Sequence, residues 1–110
     1  MVWSEKIDDV LKNGLSLKKM GVNNWALSKN EALAVLQTFE EMQVAILGGD
    51  VCELKDGIIQ YNYDSWHCDR FEEESDYDFT VRSIKETKNY IEVYKVTDEG
   101  KIFFAFVPQV

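Results

Sequence analysis

The sequence is poor in proline, histidine, cysteine and long apolar runs. Its longest apolar run, Ile102–Val107, has six residues, whereas a membrane-spanning helix needs about 20. We therefore predict no membrane span. The first residues also lack the basic patch and apolar stretch of a signal peptide, so we expect a cytoplasmic protein in which Cys52 and Cys68 are reduced thiols.

Basic residues are also scarce, with 12 lysines and arginines against 20 acidic residues and a formal net charge of −8. Attraction to nucleic-acid phosphates or to an anionic membrane requires a basic face, so neither is expected as a direct partner. The content of 45% hydrophobic and 13% aromatic residues is too high for intrinsic disorder. A length of 110 residues predicts one domain, residues 1–110.

The patterns of common metal and catalytic sites are missing. A zinc site needs spaced cysteines or histidines, and the sequence has no C-x-x-C motif and a single histidine, His67. His67 and Cys68 are neighbours whose side chains point apart in an extended segment, so they do not predict an activated thiol. Gly48-Gly49 lacks the lysine and the following helix of a phosphate-binding loop. We expect no metal, no cofactor and no enzymatic activity.

Two helices are predicted in the first half of the chain. The first begins after Ser4 as N-cap and ends at Gly14. Its apolar face, at helical spacing, consists of Trp3, Ile7, Val10 and Leu11. The second begins with a capping box, in which the side chains of Ser28 and Glu31 each accept a hydrogen bond from the other residue's amide. The segment between the helices, Leu15–Asn24, is predicted to be irregular.

A β-hairpin is predicted after the second helix. The apolar segment Val44–Leu47 is typical of a buried strand, and Gly48-Gly49 indicates a bulge or a close approach of another backbone. Asp56-Gly57 is a strong two-residue hairpin turn, and it predicts six cross-strand pairs. Three pairs share a mostly apolar, core-facing side: Leu54 with Ile59, Cys52 with Tyr61, and Asp50 with Tyr63. Three share a mostly polar side: Lys55 with Ile58, Glu53 with Gln60, and Val51 with Asn62.

The second half of the chain predicts a third helix and a last strand. The helix begins at Ser75 or Asp76, and its apolar stripe consists of Tyr77, Val81, Ile84, Ile91 and Tyr94. We favour helix to about Tyr94. Residues 90–96 are also rich in strand formers, so they are alternatively the first arm of a second hairpin that turns at residues 98–100. Ile102–Val107 is apolar on both faces and is expected to be the central strand.

The predicted order of elements is therefore α-α-β-β-α-β. It describes an α+β fold with a small sheet packed against about three helices. The sheet has three strands, or four if residues 90–96 are extended.

Asp50 is the one acidic residue that the predicted pairing places on the core-facing side. A buried carboxylate needs hydrogen-bond donors or acquires a shifted pKa, and such groups are candidates for function. We favour a structural role, in which Asp50 accepts hydrogen bonds from amides or a tyrosine near Gly48-Gly49. The functional alternative is a small enzyme or ligand-binding domain with a pocket around Asp50, Tyr63 and Trp66.

Acidic residues concentrate in one stretch, Asp69–Asp78, which we call the acidic segment. It overlaps a predicted loop over Asp64–Ser75, and it holds six acids and one basic residue, Arg70. One interpretation is a solvated loop whose acids favour the N-terminus of the third helix. The other is a docking surface for a basic protein, because aromatic residues among acids suit such a partner. The residues of that surface are Trp66, Asp69, Phe71, Glu72, Glu73, Glu74, Asp76 and Asp78.

Four segments form a distinctive set: Gly21–Leu27, Glu31–Leu33, Ala45–Val51 and Tyr63–Asp69. Together they resemble the family of immunity protein 40 from bacterial polymorphic toxin systems. The resemblance implies a small cytoplasmic α+β protein, encoded beside a toxin, that binds the toxin and protects the producing cell without catalysis. It gives motif or structural positions to Trp25, Glu31, Gly48, Gly49, Asp50, Val51, Tyr63 and Trp66.

The favoured hypothesis is therefore a non-catalytic immunity protein that binds and neutralises a cognate toxin. The acidity of the chain suggests that the active-site surface of the toxin is basic.

Overall fold

A computed structural model of the chain describes residues 5–96, 98 and 100–109. Its elements are α1 (Glu5–Leu11), β1 (Leu15–Ser16), a 3-10 turn (Lys18–Met20), β2 (Trp25–Ala26), α2 (Lys29–Met42), β3 (Ile46–Lys55), β4 (Ile58–His67), α3 (Asp76–Val93) and β5 (Ile102–Pro108). The fold is α+β, and its helices and long strands follow the predicted order. The expected cap Ser4 and the apolar Trp3 lie outside the described residues. None of the described helices is long and apolar enough to cross a membrane.

The helix α2 forms as its sequence predicts. The Ser28 hydroxyl accepts a hydrogen bond from the Glu31 amide at 3.2 Å, and the Glu31 carboxylate accepts one from the Ser28 amide at 2.9 Å. Its apolar stripe is buried, including Ala32, Val35, Leu36 and Phe39. The helix ends at Gln43, which has a left-handed φ of 58°. This cap fixes the direction in which the chain enters β3.

The main sheet has the strand order β4-β3-β5, with antiparallel neighbours throughout. The central strand is β3, so the prediction that Ile102–Val107 is central is wrong. That strand, β5, is nevertheless buried on both faces, with Phe104 in the main core and Phe103 in a second cluster. Its outer edge pairs with Leu27, whose amide and carbonyl bond to the Phe104 carbonyl and amide at 2.8 and 2.7 Å. A strand that is apolar on both faces is therefore one that is covered on both faces, and it need not be the central strand of the sheet.

The hairpin turns at Asp56-Gly57 and has the predicted register for its first four pairs. These are Lys55 with Ile58, Leu54 with Ile59, Glu53 with Gln60, and Cys52 with Tyr61. The next pair joins Asp50 to Ser65, so that one residue of β3, Val51, lies opposite three residues of β4, 62–64. The predicted pairs of Asp50 with Tyr63 and of Val51 with Asn62 are wrong. A turn sets the register only as far as the first bulge, and Tyr63 lies in this bulge with a left-handed φ of 72°.

The two faces of the sheet pack on separate cores. The larger core lies on the helix side, where Val51 and Phe104 are fully buried. The smaller core lies on the opposite face, where Cys52 packs with Leu17 and Ala26 of the N-terminal segment. We expected the face of Cys52 to be the core side and that of Val51 to be the polar side. The structure buries both, because the helices cover one face and the β1–β2 segment covers part of the other.

The helix α3 begins at Asp76 and ends at Val93, so the alternative of a strand over residues 90–96 is wrong. Over the described residues the main sheet therefore has three strands. The turn considered at residues 98–100 includes residue 99, which lies outside the described residues. Two residues of the predicted stripe, Tyr77 and Val81, are exposed. The face that α3 buries consists of Phe79, Thr80, Ser83, Ile84, Thr87 and Ile91.

Two segments that we expected to be irregular contain strands. In the first, Leu15–Asn24, Leu15 and Ser16 of β1 pair with Ala26 and Trp25 of β2 to form a second, two-stranded sheet. In the second, Asp64–Ser75, the first residues continue β4 to His67. This extension of β4 decides which way Trp66 points.

Candidate functional site

The acidic segment connects the end of β4 to the first turn of α3 and lies at the surface. Five of its six acids are exposed, and the sixth, Glu74, is half-buried. Phe71 is 62% exposed, and Tyr77, six residues further along the chain, is also exposed. The segment therefore presents carboxylates and aromatic rings together to the solvent.

Arg82 of α3 holds the acidic segment in one conformation. Its guanidinium donates two hydrogen bonds of 2.7 Å to the Glu74 carboxylate and another to the Asp69 carbonyl. It also bonds Glu86 at 2.9 Å and lies 4.0 Å from the centre of the Phe71 ring. A bidentate pair of this kind fixes the orientation of both partners. Glu74 is thus part of the internal structure of the segment.

The Arg82 guanidinium lowers the pKa of Glu74 from its ordinary value of 4.5 to about 2, mainly through the hydrogen bonds between them. The Phe71 amide, which donates to the Glu74 carboxylate at 3.1 Å, acts in the same direction. In return, the carboxylate raises the pKa of Arg82. Both groups therefore stay charged, and paired, at neutral pH.

Two further acids of the segment have a cationic or titratable neighbour. Arg70 forms an ion pair with Asp76 and lies 4.9 Å from the centre of the Phe79 ring. The His67 Nε2 atom is 3.8 Å from the carboxylate of Asp69. In the described part of the chain, no ion-pair partner is present for the other three acids, Glu72, Glu73 and Asp78.

Trp66 does not lie on this surface, which corrects its assignment to the partner-binding set. It is 9% exposed, and its ring stacks on Tyr90 with the ring centres 4.7 Å apart. Its Nε1 donates a hydrogen bond to the Thr87 hydroxyl at 3.0 Å. The reason is that β4 continues to His67, which turns Trp66 toward α3 and into the main core. Of the two aromatic anchors predicted from sequence, the structure leaves Phe71 exposed.

The two motif glycines allow β3 to pass close to Trp66 and β5. A Cβ atom at Gly49 would lie 2.4 Å from the Ala105 carbonyl oxygen and 2.4 Å from the ring of Trp66. At Gly48, with φ of 152°, a Cβ atom would lie 2.3 Å from the Trp66 carbonyl oxygen. The close backbone approach that the Gly-Gly pair predicted is confirmed.

Other motif residues hold the fold. Val51 is fully buried in the main core, and Trp25 is half-buried against it. Glu31 closes the capping box of α2. Their positions are those of structural residues.

The three residues of the alternative pocket do not converge. Trp66 points toward the helices, whereas Asp50 and Tyr63 alternate with residues on that side and so face the other way. Tyr63 is 93% exposed. A groove of 470 Å³ lies elsewhere, between the β1 segment and the tip of the hairpin, and is lined by other residues. Asp50, Tyr63 and Trp66 therefore do not line a common pocket, as the hypothesis of an enzyme or ligand-binding domain required.

The hydrogen bonding of Asp50 also differs from the structural role that the sequence favoured. Its carboxylate has no hydrogen-bond or ion-pair partner among the described residues. Partial burial raises its pKa. The expected hydrogen bonds from amides or a tyrosine are therefore not formed.

The two cysteines are buried free thiols. Burial raises the pKa of Cys52 to about 11 and also raises that of Cys68. The thiolate is the reactive form of cysteine, so neither residue is activated as a nucleophile. Within the described ranges, no group of three or more His, Cys, Asp or Glu side chains is placed to hold a metal ion.

Sequence reasoning missed two residues that organise this side of the molecule. Arg82 shares an i, i+4 spacing with Glu86, which is a readable signal, but its main partner Glu74 is eight residues away across the start of a helix. The Tyr94 hydroxyl accepts a hydrogen bond from the Asn62 amide at 2.9 Å and donates one to the Asp64 carboxylate at 2.7 Å. Nothing in the sequence pattern links Tyr94 to the hairpin.

Fold and surface together define a small α+β protein whose most distinctive exposed feature is an ordered acidic and aromatic segment. Residues 16–108 match the model of the family described as Immunity protein 40. The chain belongs to this family, as the resemblance predicted. Searches of curated proteins and of solved structures found no match.

Proposed function

We propose that this protein is a non-catalytic immunity protein, which binds a cognate bacterial toxin in the cytoplasm of the producing cell and neutralises it. The observation that carries the proposal is the family match over residues 16–108. We further propose that the exposed part of the acidic segment contacts a basic surface of the toxin. That part consists of Asp69, Phe71, Glu72, Glu73, Asp76 and Asp78.

The internal order of the acidic segment supports this assignment. Binding is weakened when a loop must be ordered on association, and Arg82 already fixes the loop through Glu74 and the Asp69 carbonyl. Glu72 and Glu73 remain exposed to solvent, and neither has an ion-pair partner within the described ranges. The Phe71 ring packs against the Arg82 guanidinium and adds exposed apolar surface among the carboxylates of the segment.

The proposal is tested with the double variant Glu72→Lys/Glu73→Lys, which leaves the structural Glu74 in place. The probe is the purified toxin domain encoded by the neighbouring gene, and the readout is the association rate at low and high salt. We expect that rate to fall by about tenfold or more at low salt, because exposed charges steer encounter, and to lose most of its salt dependence.

The matched control is Glu40→Lys/Glu41→Lys, which makes the same change in net charge at exposed positions near the end of α2. We expect a much smaller effect. An equal loss in both variants would assign the effect to total charge, and an unchanged rate in Glu72→Lys/Glu73→Lys would remove the acidic segment from the interface. A wild-type protein that neither binds the toxin domain nor protects cells from it would overturn the immunity function itself.

A further inference from the structure

The sheet face opposite the helices is covered at one end and open at the other. At the covered end, Cys52 and its neighbours pack under Leu17 and Ala26. Toward the other end of the strands, the same face carries Asp50 on β3 and the exposed residues Tyr63, Ser65 and His67 on β4. We call these four residues the open face. It continues along β4 into the acidic segment, since Asp69 follows His67 by two residues.

Asp50 is accessible on the open face because its neighbours there are small. Its cross-strand partners are Ser65 on β4 and Ala105 on β5. The next residue of β3 on the same face is Gly48, which has no side chain. The carboxylate is therefore half-buried and has no partner among the described residues.

Tyr63 lies in the bulge of β4 next to the position of Asp50, and hydrogen bonds on both sides stabilise this bulge. Its backbone has a left-handed φ of 72°, which is unfavourable for a tyrosine. The conformation is held from both sides, because the Tyr94 hydroxyl bonds the side chains of Asn62 and Asp64. Asn62 and Asp64 point toward the helices, so Tyr63 between them points outward and is 93% exposed. The fold thus maintains a strained position whose side chain contacts solvent.

The charge of the open face is of one sign. Its four residues include no lysine or arginine, and neither do the neighbouring positions Gly48 and Val107 on the same face. Asp50 is the negative charge at its centre, and the acidic segment adds more at its edge. The distance along β4 from Tyr63 to His67 is about 13 Å at about 3.3 Å per residue. A standard interface covers about 800 Å² per partner, so the open face fits within one footprint.

We propose that the open face receives a basic side chain of the toxin, arginine or lysine, with Asp50 as its carboxylate partner and Tyr63 as its aromatic wall. This inference rests on the proposed function and adds a second contact to it. A cation held against a tyrosine ring and a carboxylate gains from both interactions. A half-buried carboxylate with no partner among the described residues is complementary to such a group.

The test compares equilibrium affinities for the toxin domain encoded by the neighbouring gene. Asp50→Asn and Tyr63→Ala are each expected to weaken binding by about tenfold or more. Tyr63→Phe keeps the ring and is expected to retain most of the affinity. The controls are Glu53→Gln, the same kind of change on the opposite face of β3, and Ile58→Ala, an exposed apolar residue at the other end of β4. Thermal unfolding of each variant shows that it is folded.

The outcomes separate the inference from the function on which it rests. Wild-type binding with unchanged affinity in both Asp50→Asn and Tyr63→Ala would overturn the inference and leave the immunity function standing. A wild-type protein that does not bind the toxin domain would overturn both. The basic nature of the occupant is tested by selecting toxin variants that regain binding to Asp50→Lys. We expect replacements of lysine or arginine by acids, and regain only through changes at uncharged residues would contradict a basic occupant.

Discussion

The ring of Trp66 lies directly against the backbone of Gly49, so this glycine has a steric function. The same position faces the Ala105 carbonyl of the neighbouring strand. Any side chain there must displace either β5 or an indole that is stacked on Tyr90 and hydrogen-bonded to Thr87. The ring contacts and the hydrogen bond hold Trp66 in place, so the strain is not easily relieved.

We therefore expect Gly49→Ala to lower the free energy of unfolding by about 1–3 kcal/mol, the range typical of overpacked cores. Urea denaturation followed by tryptophan fluorescence measures the change. Gly100→Ala is the control, because a Cβ atom there would have its nearest heavy atom at 3.5 Å. Equal destabilisation by the two substitutions would contradict the steric explanation.

The pairing of Glu74 with Arg82 makes a prediction about pH. A carboxylate whose pKa is lower in the folded state stabilises the protein above its unfolded value, and this contribution is lost as the pH falls through the folded value. For Glu74 the window runs from 4.5 down to about 2. We expect Glu74→Gln to be less stable than wild type at neutral pH, with the difference shrinking as the pH approaches 2.

Urea midpoints measured across this window test the prediction. Glu72→Gln is the matched control, because Glu72 is exposed and has no ion-pair partner among the described residues. We expect it to change the midpoint little. A difference between wild type and Glu74→Gln that stayed constant down to pH 2 would argue against a paired carboxylate.

Helices and strands were predicted correctly where the contacts that define them join residues close together in the sequence. The capping box of α2 and the first four pairs of the hairpin depend on contacts between residues that are close in sequence, and both formed as predicted. The buried face of α3 was less predictable. It contains Ser83 and Thr87, whose hydroxyls bond the Ile46 amide and the Trp66 indole, and a hydrophobicity pattern does not count such residues as core.

The capping box predicts the effect of one substitution on α2. Ser28→Ala removes the acceptor for the Glu31 amide and is expected to cost about 1 kcal/mol of stability. Chemical denaturation measures the loss. Asn30→Ala, at an exposed residue of the same helical turn, is expected to cost less. A cost for Asn30→Ala as large as that for Ser28→Ala would point to helix propensity rather than capping.

At the scale of the whole molecule, the two thiols report on global opening. Cys52 lies under the β1–β2 segment and Cys68 in the main core, and burial raises the pKa of each. We expect both to react with an aromatic disulfide reagent at neutral pH only as fast as the protein unfolds. The reaction in urea supplies the reference rate. Rapid modification of either thiol in native buffer would show a local opening of its side of the sheet.

Sequence patterns predicted the α+β class, the order of the elements, the capping box, the hairpin turn and the family. These features depend on spacing and on neighbouring residues. Long-range contacts set the central strand, the cover on both faces of the sheet, the bulge at Tyr63 and the direction of Trp66. They also separated Glu74, which binds Arg82, from the exposed acids beside it. Each of these depends on contacts across the fold that local periodicity does not contain.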